Sequence, residues 1–230
     1  MQLHLHCQRA TRVEPSSHVL HVAAMFGLGV DEEKLIDIVP PVTLELRGGQ
    51  VIFITGASGG GKSTLLQLID DVVRAEAAED PTSGGSGGIV RFDRLPEPAD
   101  RPLVDLFPHL PLDETLRILS LAGLNDAFVM LRKPSELSDG QRYRLRLAQT
   151  MAEAGATAPG LRVVLADEFG ATLDRLTAKI VASNVRRWVD RAATPTCFIA
   201  ATTHDDLLEA LRPDVVIEKG FGDEMQVHHR

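Results

Sequence analysis

The chain is poor in the features that mark several protein classes. Only two cysteines, Cys7 and Cys197, stand in 230 residues, too few for a disulfide framework, and neither has neighbours at metal-ligand spacing. Aromatics make up 4% of the residues, so each ring near a binding motif has to be weighed. No apolar run approaches the roughly 20 residues that a membrane helix needs. The opening MQLHLHCQRATRVEP has no apolar secretory core, and a soluble, cytoplasmic protein is expected. An excess of positive charge is also missing: 24 Lys and Arg face 32 Asp and Glu, a net charge of −8, which argues against a general nucleic-acid binder. With hydrophobic residues at 44%, the chain can bury a core, and one domain over 1–230 is expected.

Short runs rich in β-branched residues stand at Val51-Ile52-Phe53-Ile54, Val163-Val164-Leu165, Cys197-Phe198-Ile199-Ala200 and Val215-Val216-Ile217. They read as strands buried on both faces. Leu65, Leu66, Leu68, Ile69, Val72 and Val73 follow the first at helical spacing, and Leu176, Ile180, Val181, Val185 and Trp188 follow the second. Strand then helix, repeated, predicts an α/β fold with a mostly parallel sheet flanked by helices. Residues 105–160 are mostly helical in pattern and punctuated by Pro108, Pro111 and Pro134, so a short helical subdomain is expected there. Pro81 to Gly88 and Glu153 to Gly160 read as surface loops.

Residues 56–63, GASGGGKS, fit G-x-x-x-x-G-K-[ST] between a buried strand and an amphipathic helix, the context that phosphate binding requires. Small residues let successive backbone N–H groups turn toward phosphates, and the helix beginning near Lys62 adds its positive dipole end. Gly56, Ser58, Gly59, Gly60, Gly61, Lys62, Ser63 and Thr64 are the binding candidates. Lys62 would reach the β and γ phosphates, and Ser63 would offer a hydroxyl to Mg²⁺. The run Val163-Val164-Leu165-Ala166 ends in Asp167 and Glu168. At the carboxyl end of a sheet, Asp167 can hold Mg²⁺ and Glu168 can polarise an attacking water. Two acids after a strand are by themselves weak; coupled to the loop they gain meaning.

Leu137-Ser138-Asp139-Gly140-Gln141 is similar to the LSGGQ signature of the ATP-binding-cassette (ABC) ATPases, with Asp139 replacing its first Gly. Gly170-Ala171-Thr172-Leu173-Asp174 resembles the family's D-loop, and Thr202-Thr203-His204-Asp205 resembles the segment bearing its switch histidine. All the motifs come in the family's order. The resemblance implies a P-loop NTPase fold with an N-terminal antiparallel β portion, using ATP and Mg²⁺. It implies a head-to-tail homodimer with two ATPs sandwiched, in which Ser138, Gly140 and Gln141 of one subunit close over the ATP of the other, with Asp174 of the D-loop-like segment a further nucleotide-binding candidate. His204 would hold the γ-phosphate and orient the water that Glu168 polarises. Phe26, 30 residues before Gly56, stands where the family places an aromatic that stacks on adenine.

The chain also departs from the family. Members carry a Gln between the first helix and the signature, and here none occurs from Leu68 through Gly140; Asp105 is the nearest polar substitute. Ser138 follows Lys62 by only 76 positions, which leaves less surface for docking a membrane subunit. Several phrases, LSDGQRYRLRLA and ADEFGATLDRLTAK among them, are similar to a soluble branch sometimes fused to a predicted acetyltransferase domain. The expected function is Mg-dependent ATP hydrolysis by a homodimer that acts as a soluble switch on an unknown cytosolic protein partner. Two alternatives stay open: the ATP-binding subunit of an ABC transporter, engaging a membrane subunit, and a nucleic-acid repair or structural ATPase. The second rests only on Arg142, Arg144 and Arg146. His4, His6 and Cys7 read as surface side chains rather than metal ligands.

Overall fold

The chain begins with an antiparallel arm, β1 (Gln2–Thr11) paired with β2 (Lys34–Glu45) as a separate two-stranded sheet, with α1 (Ser17–Met25) between them. The computed structural model describes residues 1–11, 13–30, 34–79, 86–155 and 160–230. Of the two expected loops, positions 81–85 and 156–159 lie outside the described residues. After the arm come β3 (Val51–Thr55), α2 (Lys62–Glu79) and β4 (Ser86–Arg91). Three helices follow, α3 (Leu112–Leu121), α4 (Ala127–Met130) and α5 (Asp139–Gly155). The chain then alternates β5 (Leu161–Ala166), α6 (Arg175–Arg191), β6 (Thr196–Ala201) and α7 (Leu208–Leu211), and closes on β7 (Val215–Lys219) and β8 (Met225–His229).

The main sheet has the order β4-β5-β6-β3-β7-β8, parallel except for β8, which pairs antiparallel with β7. Strand β3 lies in its middle and is buried along its whole length, so its alternate side chains need apolar cover on both faces. Val51 and Phe53 enter a cluster with α3, α5 and α6; Ile52 and Ile54 enter a second cluster with α2 and the β1–β2 arm. Parallel strands are joined by crossovers, and the crossover from β4 to β5 carries α3, α4 and α5.

Charges are buried where they tie layers together. Arg186 of α6 donates to Asp214 at 2.8 Å and to the Gly49 carbonyl at 2.7 Å, while Asp214 also accepts from the Val51 amide at 2.7 Å. This holds α6 on the sheet at the end where β3 begins. On the other face, fully buried Asp70 of α2 accepts from Arg74 at 2.6 Å and Arg94 at 3.0 Å, with Arg91 of β4 at 3.7 Å. The thiols are separate: Cys7 is half-buried on β1, and Cys197 is buried in β6, where desolvation pushes its pKa up to about 12.

Removing one partner from a buried ionic cluster costs more than the cluster contributes, because the other charge is left desolvated. Asp70→Ala should therefore lower the unfolding free energy by about 3 kcal/mol, whereas Arg74→Ala, at the exposed edge of the same cluster, should cost under about 1 kcal/mol. Urea denaturation of the two variants measures the difference.

Candidate functional site

The loop between β3 and α2 is built around glycine. Gly56, Gly59 and Gly61 have φ of 129°, 76° and 97°, a region that side chains rarely adopt. Close approach adds to this: a Cβ on Gly56 would sit 2.0 Å from the carbonyl oxygen of Lys219, and one on Gly60 would sit 2.9 Å from that same oxygen. The loop is thus pressed against the end of β7. Lys62, at the first turn of α2, folds back so that its Nζ donates to the carbonyls of Gly56 and Ala57, both at 2.8 Å. Burial lowers the Lys62 pKa from the ordinary lysine value, and the charges of Asp167 and Asp205 oppose that shift.

A cleft of about 410 Å³ opens over this loop. Ser58, Gly59, Gly61, Lys62, Ser63 and Thr64 line one side, and Asp167, Glu168 and Ala171 line the other, with Ala201, Thr202 and Thr203 between. Gly56 is set back at the foot of the loop, and Gly60 is buried with its N–H on the Ala57 carbonyl at 3.1 Å. The two sides meet because β3 and β5 both flank β6 and point their carboxyl ends the same way.

Glu168 has φ of 49° although it carries a side chain, a conformation that costs of order 1 kcal/mol unless its surroundings impose it. Those surroundings can be followed amide by amide. The Glu168 N–H donates to Asp167 Oδ1 at 3.0 Å, Phe169 to the Ala201 carbonyl at 2.9 Å, Gly170 to the Tyr143 hydroxyl at 2.7 Å and Ala171 to the Glu168 carbonyl at 3.0 Å. The carboxylate itself is exposed to the cleft.

The other expected residues are distributed differently. His204 is half-buried just past Thr203, and its N–H donates to Thr202 Oγ1 at 3.3 Å. Ser138 and Gln141 cap α5 reciprocally, the Ser138 N–H on Gln141 Oε1 at 3.0 Å and the Gln141 N–H on Ser138 Oγ at 3.4 Å. Asp174 caps α6 by accepting from the Thr177 amide at 3.0 Å. Ser138, Gly140, Gln141 and Asp174 all lie outside the cleft of their own chain.

Two further residues lie away from the lining of the cleft. Phe26 is 73% exposed at the C-terminal end of α1 and does not line the cleft. Helix α1 buries only Ala23, and Gly27, at φ 64°, turns the chain after Phe26. Asp105 is exposed on a 3-10 turn and is not part of the cleft either. An aromatic beside the loop is Phe221, in the β7–β8 turn, whose Cε1 lies 3.9 Å from where a Gly59 Cβ would be. Its signal in the sequence is slight, a Phe between Gly220 and Gly222 after an apolar strand. Buried Lys219 shapes that turn by donating to the carbonyls of Gly220 and Gly222 at 2.7 Å and of Glu224 at 3.2 Å. The three arginines of α5 all have internal partners: Arg142 holds Asp139, Arg144 holds the Gly140 and Gly123 carbonyls, and Arg146 holds Glu97. The one feature that favoured nucleic acid is thereby engaged within the chain.

Ser63 and Asp167 offer hard oxygen donors in one cleft beside the Lys62 charge, a set that suits Mg²⁺ on a phosphate. No family profile matches the chain. A phosphonates import ATP-binding protein, PhnC of Hyphomonas neptunium, is 30% identical over 191 residues, covering 67% of this chain and 68% of that protein. The chain belongs to the ABC ATPases. The sulfate/thiosulfate import ATP-binding protein CysA of Synechococcus elongatus is 30% identical over 212 residues, covering 79% of this ABC chain and 56% of CysA. The macrolide export ATP-binding/permease protein MacB of Shigella flexneri is 24% identical over 207 residues, but the chain spans only 30% of its length. Among solved structures, an ATP-binding cassette in a dimeric post-hydrolysis state bound to ADP and Pi matches with a TM-score of 0.62 at 15% identity, over 100% of this chain and 98% of that one. The dimeric structure of a bacterial ABC transporter cassette gives 0.57 at 19% identity, over 84% and 91%. These structures share the fold. As an ABC ATPase, the chain is an ATP hydrolase that uses Mg²⁺. Among its described residues no helix is long and apolar enough to cross a membrane.

The close approach at Gly56 gives a prediction. Gly56→Ala should abolish the thermal stabilisation that Mg-ATP confers, because the new methyl forces the loop off Lys219. Gly59→Ala, where the space is open apart from Phe221, should keep it and lose about 1 kcal/mol of stability. Melting curves with and without Mg-ATP distinguish the two.

Proposed function

We propose that the chain is the ATP-hydrolysing unit of a transporter-type assembly and works as a head-to-tail homodimer. The observation that carries the dimer is the incompleteness of the site: the phosphate loop and the acid pair share one cleft, while Ser138, Gly140 and Gln141 lie outside it. A second copy would bring them over the phosphates. The named relatives import phosphonates and sulfate/thiosulfate or export macrolides, which favours the transporter alternative. None of them supports the soluble switch on a cytosolic partner. Leu112, Phe128 and Leu131, at 63%, 79% and 66% exposure on and beside α3 and α4, are exposed apolar side chains that a permease could cover.

In this mechanism Lys62 exchanges its two loop carbonyls for β- and γ-phosphate oxygens, a trade of neutral acceptors for charged ones. The loop N–H groups and the start of α2 supply the remaining donors. Ser63 and Asp167 would hold Mg²⁺, whose charge offsets that of the phosphates. Glu168 takes a proton as the water oxygen bonds to the γ-phosphorus and the β–γ bridging oxygen leaves with ADP. His204 steadies the γ-phosphate. With no Gln between Leu68 and Gly140, water placement falls on Glu168 and His204. Phe221, rather than Phe26, offers a flat apolar face at the loop on which a base can rest.

Glu168→Gln should bind ATP, slow turnover by about 10²-fold or more and elute as a dimer in size-exclusion chromatography with ATP. A monomer at saturating ATP would overturn the sandwich. Ser138→Arg should remain a monomer with near-normal ATP affinity, and Lys62→Ala should lose that affinity. Cross-linking of the Glu168→Gln form in cells tests the assembly: capture of permease subunits is expected, and capture confined to soluble proteins would restore the switch.

Loss of a stacked base contact is worth about tenfold in affinity. Phe221→Ala should therefore weaken ATP by that factor and leave inorganic tripolyphosphate unaffected, as isothermal titration would measure.

A further inference from the structure

The acid-bearing turn is held by a side chain from another element at one point only among the four amides described above, the Gly170 N–H on the hydroxyl of Tyr143. Tyr143 is in the second turn of α5, the helix whose first residues are Asp139 and Gly140. Its ring leans on Phe92, with centroids 4.8 Å apart and planes at 48°. Tyr143 is half-buried, and burial pushes its phenol pKa up, so the hydroxyl stays a neutral partner. Gly170 is buried at φ 74°, and a Cβ there would meet Leu207 at 3.1 Å and Ala178 at 3.4 Å. The turn is therefore packed tightly behind Gly170 and fixed in front by Tyr143. Glu168, with its left-handed backbone, stands two residues earlier in the same turn.

We propose that Tyr143 is a positioning residue: its hydroxyl fixes the 168–171 turn, so that the place of the Glu168 carboxylate follows the place of α5. A buried amide accepts no free substitute for a lost partner, so a shift of α5 carries Gly170 with it. Because Ser138 and Gln141 cap the same helix, pressure on the start of α5 reaches Glu168 through one side chain and one hydrogen bond. Hydrolysis is thereby made sensitive to what sits against the N-terminus of α5. This rests on the reading of Glu168 as the group that polarises water.

The test is Tyr143→Phe, which keeps the ring and removes the acceptor. An unsatisfied buried amide and a displaced carboxylate should lower kcat about tenfold or more, with KM for ATP within about twofold. In the Glu168→Gln background, Tyr143→Phe should slow turnover no further, because both changes act through one group. Wild-type kcat in Tyr143→Phe, beside a slow Glu168→Gln, overturns the positioning role alone. Normal turnover in Glu168→Gln overturns the role of Glu168 and the inference with it. If Tyr143→Phe does not fold, amide hydrogen exchange on the wild-type protein decides: protection of the Gly170 N–H is expected, and exchange at the rate of a free amide overturns the proposal.

Discussion

The carbonyl oxygen of Lys219 leaves no room for a side chain at Gly56, and much of the site depends on that contact. It fixes the height of the phosphate loop above the sheet, because the loop can neither sink past the peptide of β7 nor carry a methyl group against it. From that height Lys62 reaches back to the Gly56 and Ala57 carbonyls, and Ser63 opens α2 toward Asp167. Lys219 works from both ends: its backbone seats the loop, while its buried ammonium gathers three carbonyls of the adjoining turn and so places Phe221. A cation inside the protein normally costs several kcal/mol of desolvation; here carbonyl dipoles replace the lost water.

Electrostatics follow the same economy of position. A chain of net charge −8 binds a polyanion because the local field at the loop differs from the total. Lys62 is the cation of the cleft, and backbone amides that carry no formal charge do the remaining work. The acids across from it, Asp167 and Glu168, would repel phosphate if left alone. A divalent ion held by Asp167 and Ser63 would convert that repulsion into attraction, so ATP is expected to bind together with Mg²⁺.

Much of this was legible from residue order. Val51 to Ile54, short, apolar and rich in β-branched residues before a glycine, read as a strand buried on both faces, and β3 is such a strand. GASGGGKS required backbone amides turned inward, and its positive φ values follow from glycine at those places. What stayed hidden was set by distant approach. Phe26 stands at the spacing the family suggests, but its exposure at the end of α1 and its absence from the cleft lining are set by the turn at Gly27, not by spacing. Phe221 comes to Gly59 only because β8 folds back beside β7, a pairing that no local pattern announces. The hydrogen bond from Gly170 to Tyr143 spans 27 positions and joins two segments that sequence reading treats as separate motifs. The arginines of α5 looked free in the sequence and are each bonded within the chain, to Asp139, to the Gly123 and Gly140 carbonyls and to Glu97.

The separation of the two thiols has a practical consequence. With its pKa near 12 inside β6, Cys197 presents almost no thiolate at neutral pH, and thiolate is what alkylating reagents and oxidants consume. Cys7, half-buried on β1, is left as the reactive position. Maleimide chemistry on the unmodified protein is then expected at one site, and the dye it installs rides on the arm whose Ile38 would meet a Cβ on Gly61 at 3.2 Å, a natural vantage point for optical readout of nucleotide arrival.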